Sequence, residues 1–255
     1  MKRTMMMAMA VVLPVWGQTV PAAGEPAPHT PAGQRTAYVR RFSMGGKLSF
    51  PALGGLGGGD HERNLTAGPT LIQSTAEGRG VLVGGGLTMQ IAVGDRYALT
   101  VDALRRKVGY YLTTTTYVGT DNTSTAADER TATGLKENTR ASSWEMPMLL
   151  RRYNIGRFEE GPRWFWEAGV SIRRTGGVKT FIEEDNEECC LQTPAALAHR
   201  YTPGLTVGAG GQWVDDYGVK ILPEFRYTYW TNRPFAAEPA RSRGHQIEIL
   251  IGVTF

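Results

Sequence analysis

Four histidines, two adjacent cysteines and one dense acidic run are the side chains in this chain best equipped for chemistry. A hydrolase needs a histidine base beside a nucleophile such as serine, oriented by an acid. His29 falls in a linker and His61 in a loop, while His199 and His245 lie near the ends of two candidate strands, with Ser242 close to the latter. No recognisable catalytic motif surrounds the pair, and a histidine at such a position is far more often a polar interfacial residue. No catalytic residue is assigned, and the chain is not expected to be an enzyme.

The run Glu183-Glu184-Asp185-Asn186-Glu187-Glu188 offers oxygen ligands for a divalent cation, but it lacks calcium-loop spacing and reads as a solvated tip. Cys189-Cys190 cannot form a long-range staple; a strained vicinal disulfide and two free thiols both remain open. The glycine-rich segment Gly54 to Gly59 has neither a Walker lysine nor a following helix, which argues against a phosphate cradle and leaves a mobile loop. Neither a metal nor a cofactor is expected.

The elements that position these groups follow from a period of two. Large apolar residues alternate with small or polar ones from Val81 to Val93, and Trp144, Met146, Met148 and Leu150 alternate with Glu145, Pro147, Leu149 and Arg151. Trp164, Trp166, Ala168, Val170 and Ile172 do the same, as do Ile247, Ile249, Ile251, Val253 and Phe255. Residues two apart share a face on a strand and oppose each other on a helix, so these segments are strands. Eight are expected, at about 38–50, 78–93, 96–117, 140–153, 163–175, 199–213, 217–231 and 244–255. Connectors after even-numbered strands are short and those after odd-numbered strands are long. That is the pattern of an up-and-down antiparallel β-barrel with short turns at one end. In the third strand Arg105, Arg106 and Lys107 break the apolar parity, which a bulge or an extension beyond a bilayer would explain. Pro147, Pro203 and Pro223 predict bulges or missing hydrogen bonds within strands.

Alternation does not say which face is inside. A soluble carrier would turn its apolar face inward around a pocket, whereas a membrane barrel turns it out. Three features favour the membrane. Ser43, Gly45, Ser49, Gly84, Gly86, Thr88, Ala92, Gly169, Ser171, Thr206, Gly208 and Gly210 crowd the polar face, and small residues suit the narrow interior of eight strands. Charges of both signs share that face, so Lys47, Glu145, Arg151, Glu167, Arg173, Lys220, Glu224, Arg226 and Glu248 are expected to form a polar network in the lumen. Arg151–Glu167 and Arg226–Glu248 are its expected bridges, because buried ions are tolerable only when paired. Trp144, Trp164, Trp166, Trp213, Tyr217, Tyr227 and Tyr229 gather near strand ends on the apolar face, as interfacial aromatics do.

The segments Trp144-Glu145-Met146-Pro147-Met148-Leu149-Leu150-Arg151-Arg152-Tyr153 and Leu222-Pro223-Glu224-Phe225-Arg226-Tyr227 resemble the OmpA/OmpX-like outer-membrane β-barrel superfamily, a resemblance covering about residues 37–255. It implies insertion by the barrel-assembly machinery, which reads the last strand and its terminal aromatic, here Phe255. Glu248 stands near the place where that signal often carries a glycine, and no peptidoglycan-binding domain is expected after it.

The N-terminus reads as an export signal over residues 1–22, with Lys2 and Arg3, an apolar run from Met5 to Trp16, and a small-residue exit at Val20-Pro21-Ala22 or Val15-Trp16-Gly17. Residues 23–36 read as a flexible linker and 37–255 as the barrel domain. The formal charge is +4, of which Lys2 and Arg3 supply two, and the rest contains no basic run. No nucleic-acid partner is expected. No stretch reaches the ~18–20 apolar residues of a spanning helix. The expectation is an all-β, eight-stranded, antiparallel up-and-down transmembrane barrel, monomeric, in the bacterial outer membrane. Its partners would be outer-membrane lipids and lipopolysaccharide, and its role envelope integrity or surface interaction through the long loops. A narrow ion or small-solute channel is the alternative; a lipid-modifying rim enzyme and a soluble lipocalin-like carrier are weaker ones.

Overall fold

The computed structural model describes residues 40–52, 56–57, 59–65, 70–78, 83–119, 130–159, 161–184, 187–215, 217–236 and 240–255, with the side chains of 56–65, 184 and 187–192 left aside. The expected signal, the linker with His29, and the side chains of His61, Cys189 and Cys190 therefore lie outside the described residues.

Among the described residues there is no helix, and the alternating stretches are strands. Eight of them are β1 (Phe42–Pro51), β2 (Gly84–Ala92), β3 (Tyr97–Val118), β4 (Thr131–Tyr153), β5 (Arg163–Glu184), β6 (Tyr201–Val214), β7 (Lys220–Trp230) and β8 (His245–Thr254). Each pairs antiparallel with the next in sequence. The sheet then closes on itself through β1 and β8, in a register running from Gly45↔Thr254 to Pro51↔Glu248. Closure leaves these eight strands without a free edge over their shared length, which settles the backbone hydrogen bonding there. The connections at 93–96, 154–162 and 215–219 are short and meet at one rim; the remaining four lie at the other.

At the long-connection rim β3, β4 and β5 run on past the ring. Strands Gly59–Leu65 and Thr70–Gly78 form a hairpin, and the second of these pairs with the upper part of β3. Strand Glu187–Gln192 pairs with the upper part of β5. The first long connection, expected as a loop with its glycine-rich start, thus carries strands, and Leu56–Gly57 bridges Arg241–Ser242. The second ring strand starts at Gly84 rather than 78, because Thr70–Gly78 belongs to this extension.

The third strand needs no bulge. Its register with β4 is constant from Tyr97↔Arg152 to Val118↔Thr131. Tyr97, Leu99, Arg105 and Lys107 are exposed, while Ala98, Thr100, Asp102, Leu104, Arg106 and Tyr110 are buried. Parity never breaks; the two faces exchange chemistry. Below Arg105 the apolar side chains look outward, and above it Val108, Tyr110 and Leu112 join an apolar cluster. That cluster unites Ala76, Tyr110, Ala141, Phe235 and Ala240, with Ala195 and Leu197 packed against it. Tyr110 and Phe235 meet edge to face, with centroids 5.5 Å apart. Burial pushes the Tyr110 phenol above its ordinary range.

The prolines are absorbed without bulges. Pairing of β3 with β4 skips Asp102–Ala103 opposite Met146–Pro147, and pairing of β6 with β7 skips Gly211–Gln212 opposite Leu222–Pro223. Pro203 precedes the first β6–β7 pair, and its carbonyl accepts from Thr231 N. The one register shift between ring strands lies between Arg140 and Ser142, away from every proline.

Candidate functional site: an ion-packed interior

Strand parity drives one set of side chains into the ring, and that set is ionic. Lys47 on β1, Asp102 and Arg106 on β3, and Glu145 and Arg151 on β4 are all buried. So are Glu167 and Arg173 on β5, Glu224 and Arg226 on β7, and Glu248 on β8. Cations and anions balance in number, and they divide into two neutral groups.

The group nearer the short-connection rim holds Lys47, Arg151 and Arg226 against Asp102, Glu167 and Glu224. Arg226 reaches all three carboxylates, at 3.0, 3.1 and 3.0 Å from Asp102, Glu167 and Glu224. Arg151 bridges Glu167 at 2.7 Å and Glu224 at 2.6 Å, with its guanidinium 3.7 Å from the Phe165 ring centroid. Lys47 lies 3.0 Å from both Asp102 and Glu224, and the Thr88 hydroxyl donates to Asp102 at 2.6 Å. Each buried ion carries a desolvation penalty of several kcal/mol, which only such multiple pairing offsets.

The second group pairs Arg106 and Arg173 with Glu145 and Glu248. Arg106 contacts Glu145 at 3.2 Å and also binds Glu248, whose other donor is the Ser49 hydroxyl at 2.8 Å. Arg173 donates to Glu145 at 2.9 Å and to Gln246, and its guanidinium lies 3.8 Å from the Trp230 ring centroid. Gln246 in turn donates to Glu145 at 3.2 Å and accepts from Trp230 Nε1 at 3.0 Å.

Of the inward charges nominated from the sequence, all but Lys220 belong to these groups. Lys220 is buried too, but its ammonium has no partner among the described residues. Arg151 and Glu167 stand directly opposite on their ladder and pair as expected. Arg226 and Glu248 also stand opposite, yet they form no ion pair. Arg226 turns to three other carboxylates, and Arg106 captures Glu248. Partner choice here depends on what crosses the interior, which ladder position does not specify. Asp102 and Arg106 escaped the sequence reading because the third strand seemed to lose its parity there. Extending the even positions from Ala98 through Arg106 would have found both.

Small inward residues make room for these ions. A Cβ on Gly208 would lie 2.9 Å from both Glu167 Oε1 and the Phe225 carbonyl, so only glycine fits beside that carboxylate. Apolar side chains bound the ions at each end. Ala98, Tyr153, Phe165 and Leu222 form a layer toward the short-connection rim, and the Phe235 cluster lies toward the other.

The outer face is the converse. Met44 and Leu48 on β1, Leu87 and Met89 on β2, Leu99 on β3, Met148 and Leu150 on β4, and Val170 and Ile172 on β5 are exposed. Leu205 and Val207 on β6, Ile221 and Phe225 on β7, and Ile249 and Ile251 on β8 continue the band around the ring. Among the described residues its charges lie only at the rims, with Arg41, Arg96 and Arg152 below and Arg105 and Arg174 above. Trp164, Trp166, Trp213 and Tyr217 lie outside near the short-connection rim, and Trp144, Tyr227 and Tyr229 toward the other. Phe255 is exposed at the lower end of β8.

The candidate hydrolytic residues are not assembled. Ser242 is buried and accepts from Phe235 N at 3.1 Å, whereas His245 is exposed and its Nδ1 bonds the Tyr227 hydroxyl at 2.7 Å. His199 is exposed on the connection before β6. In the acidic run, Glu183 is engaged by Lys136 at 3.1 Å and Asn138 at 2.7 Å. The described chain is an all-β closed ring with paired ions packed inside and an apolar exterior. No protein-family model matches it, and no curated protein matches it either.

Proposed function

We propose that the chain is an eight-stranded up-and-down transmembrane β-barrel of a Gram-negative outer membrane, exported and monomeric, with a structural rather than catalytic role. The observation that carries this reading is the inversion of the two faces. A water-soluble domain rarely exposes a contiguous apolar patch beyond a few hundred Å², yet here the apolar band encircles the ring while the ions sit inside. About ten residues per strand at roughly 3.3 Å each, tilted by roughly 40°, give a band about 25 Å tall, the height of an outer-membrane hydrocarbon belt. Rim arginines and aromatics then meet lipid headgroups, including those of lipopolysaccharide.

The filled interior favours a plug over a pore, which leaves the extended strands at the long-connection rim as the surface for envelope or partner contacts. Insertion would fall to the barrel-assembly machinery. Cell fractionation with gel mobility tests the reading. The protein should require detergent for extraction and should migrate differently before and after boiling. Recovery as a detergent-free soluble protein would refute it. In planar bilayers the purified protein should give no steady conductance; a sustained current would favour the narrow-channel alternative.

A further inference from the structure

Beneath the layer of Tyr153, Phe165 and Leu222, the interior at the short-connection end follows a different logic from the ion groups. Lys220 is 1 % exposed, and its Nζ has no partner among the described residues. Thr254 stands directly opposite it on the ladder, buried, with its hydroxyl also unpartnered. Gln212 is opposite Arg163; both polar atoms of its amide and the Arg163 Nε are buried without partners. Ser43 lies one inward position beyond Gly45, which itself faces Thr254, and its hydroxyl is in the same state. These groups occupy contiguous inward positions of one layer.

The charges acting most strongly on Lys220 are Arg163, Arg40 and Arg157, all positive. Among the described residues, the Asp95 and Glu159 carboxylates on the neighbouring turns act on Arg163, and each is also engaged by another group. Asp95 accepts from Arg157 N at 3.0 Å, and Glu159 pairs with Arg96 at 3.2 Å. Arg163 itself is held in place, donating to the Gly156 carbonyl at 3.2 Å and lying 4.4 Å from the Tyr153 ring centroid.

Water would satisfy the hydroxyls and the amide, but it supplies no charge to oppose the buried Lys220 ammonium. Among the described residues, the other cations buried in the ring, Lys47, Arg106, Arg151, Arg173 and Arg226, each have a carboxylate. The geometry points to a small-oxyanion site at this end of the ring, with Lys220 and Arg163 supplying charge and Gln212, Thr254 and Ser43 completing the shell of donors. A tetrahedral or planar oxyanion presents several acceptors at once, which matches an ammonium, a guanidinium N–H, an amide N–H and two hydroxyls converging from different strands. The apolar layer above separates the site from the Asp102, Glu167 and Glu224 carboxylates, which would otherwise repel such a ligand. The site needs only the closed ring and does not depend on the membrane reading.

Inorganic phosphate is the probe. With the detergent-folded full chain, its ³¹P resonance should broaden saturably, and phosphate should raise the unfolding temperature above a chloride control of equal ionic strength. Heat-unfolded protein should not broaden the resonance. Lys220→Met should weaken phosphate binding by about tenfold or more, the scale of one charged hydrogen bond. Lys220→Arg, which keeps the charge should the methionine variant fold poorly, should retain saturable broadening. Two results overturn the site: absence of saturable broadening with folded protein, which leaves a chamber holding water alone, or equal phosphate binding by Lys220→Met.

Discussion

Removing one carboxylate from the lower ion group gives a quantitative test of charge balance. Glu224 is fully buried and serves Lys47, Arg151 and Arg226 at 3.0, 2.6 and 3.0 Å. Glu224→Gln leaves those three cations facing only Asp102 and Glu167. Breaking a buried pair on one side costs about 3–5 kcal/mol, most of it the penalty of the charge left behind. Lys47→Met leaves the opposite excess and should cost a similar amount. Made together, the two changes restore neutrality and replace an ion pair by uncharged groups. The double variant should then lose only about 1–2 kcal/mol, giving a coupling of about 3 kcal/mol or more. Pairing Glu224→Gln with Arg173→Met is the control, because the partners of Arg173 among the described residues, Glu145, Gln246 and Trp230, belong to the second group. Those two changes should add to within about 0.5 kcal/mol. Urea unfolding in detergent micelles reads all of these, with the outward tryptophans Trp144, Trp164, Trp166 and Trp213 as fluorescent reporters. A Lys47–Glu224 double variant as unstable as the sum of its parts would show that neutrality is not what holds the interior together.

Gly208→Ala places a Cβ against Glu167 Oε1 and the Phe225 carbonyl and should destabilise by about 1–3 kcal/mol, whereas Gly134→Ala, with open space around it, should change urea unfolding little. On the outer face, Val207 lies midway between Tyr201 and Trp213 and is 52 % exposed. Val207→Arg should cost about 2–4 kcal/mol in refolding into lipid vesicles, against about 0–1 for Leu135→Arg on the extension above the band; equal effects would remove lipid from the account. Phe235→Ala deletes the edge-to-face partner of Tyr110 and should cost about 3–5 kcal/mol locally. Limited proteolysis should then cut residues 193–200 or 231–244 while the ring strands stay protected.

The strands were legible because alternation is a local property. Ile247 through Phe255 announces its two faces whatever surrounds it, and all eight ring strands overlap their expected positions. The apparent break at Arg105-Arg106-Lys107 misled because apolar character was taken as the mark of one face. In the folded chain the inward face is ionic low on β3 and apolar high on β3, so side-chain chemistry and strand parity part company at that height. Strands Gly59–Leu65 and Thr70–Gly78 were hidden for a related reason. Their pairing satisfies backbone groups along the threonine-rich upper part of β3, and such pairing leaves little trace in hydrophobic patterning.

By itself the sequence determined the all-β class, the eight strands of the ring and the sorting of residues onto two faces, since each follows from a period of two read along a few residues. Only the tertiary structure decided which carboxylate each cation takes. Ladder neighbours such as Arg226 and Glu248 are adjacent along the sheet, but once the sheet closes, side chains from opposite walls share one narrow space. There Coulomb attraction and desolvation select partners across the ring regardless of their separation in the chain. Lys220 shows the same division: its inward parity could be read from sequence, and its solitude could not.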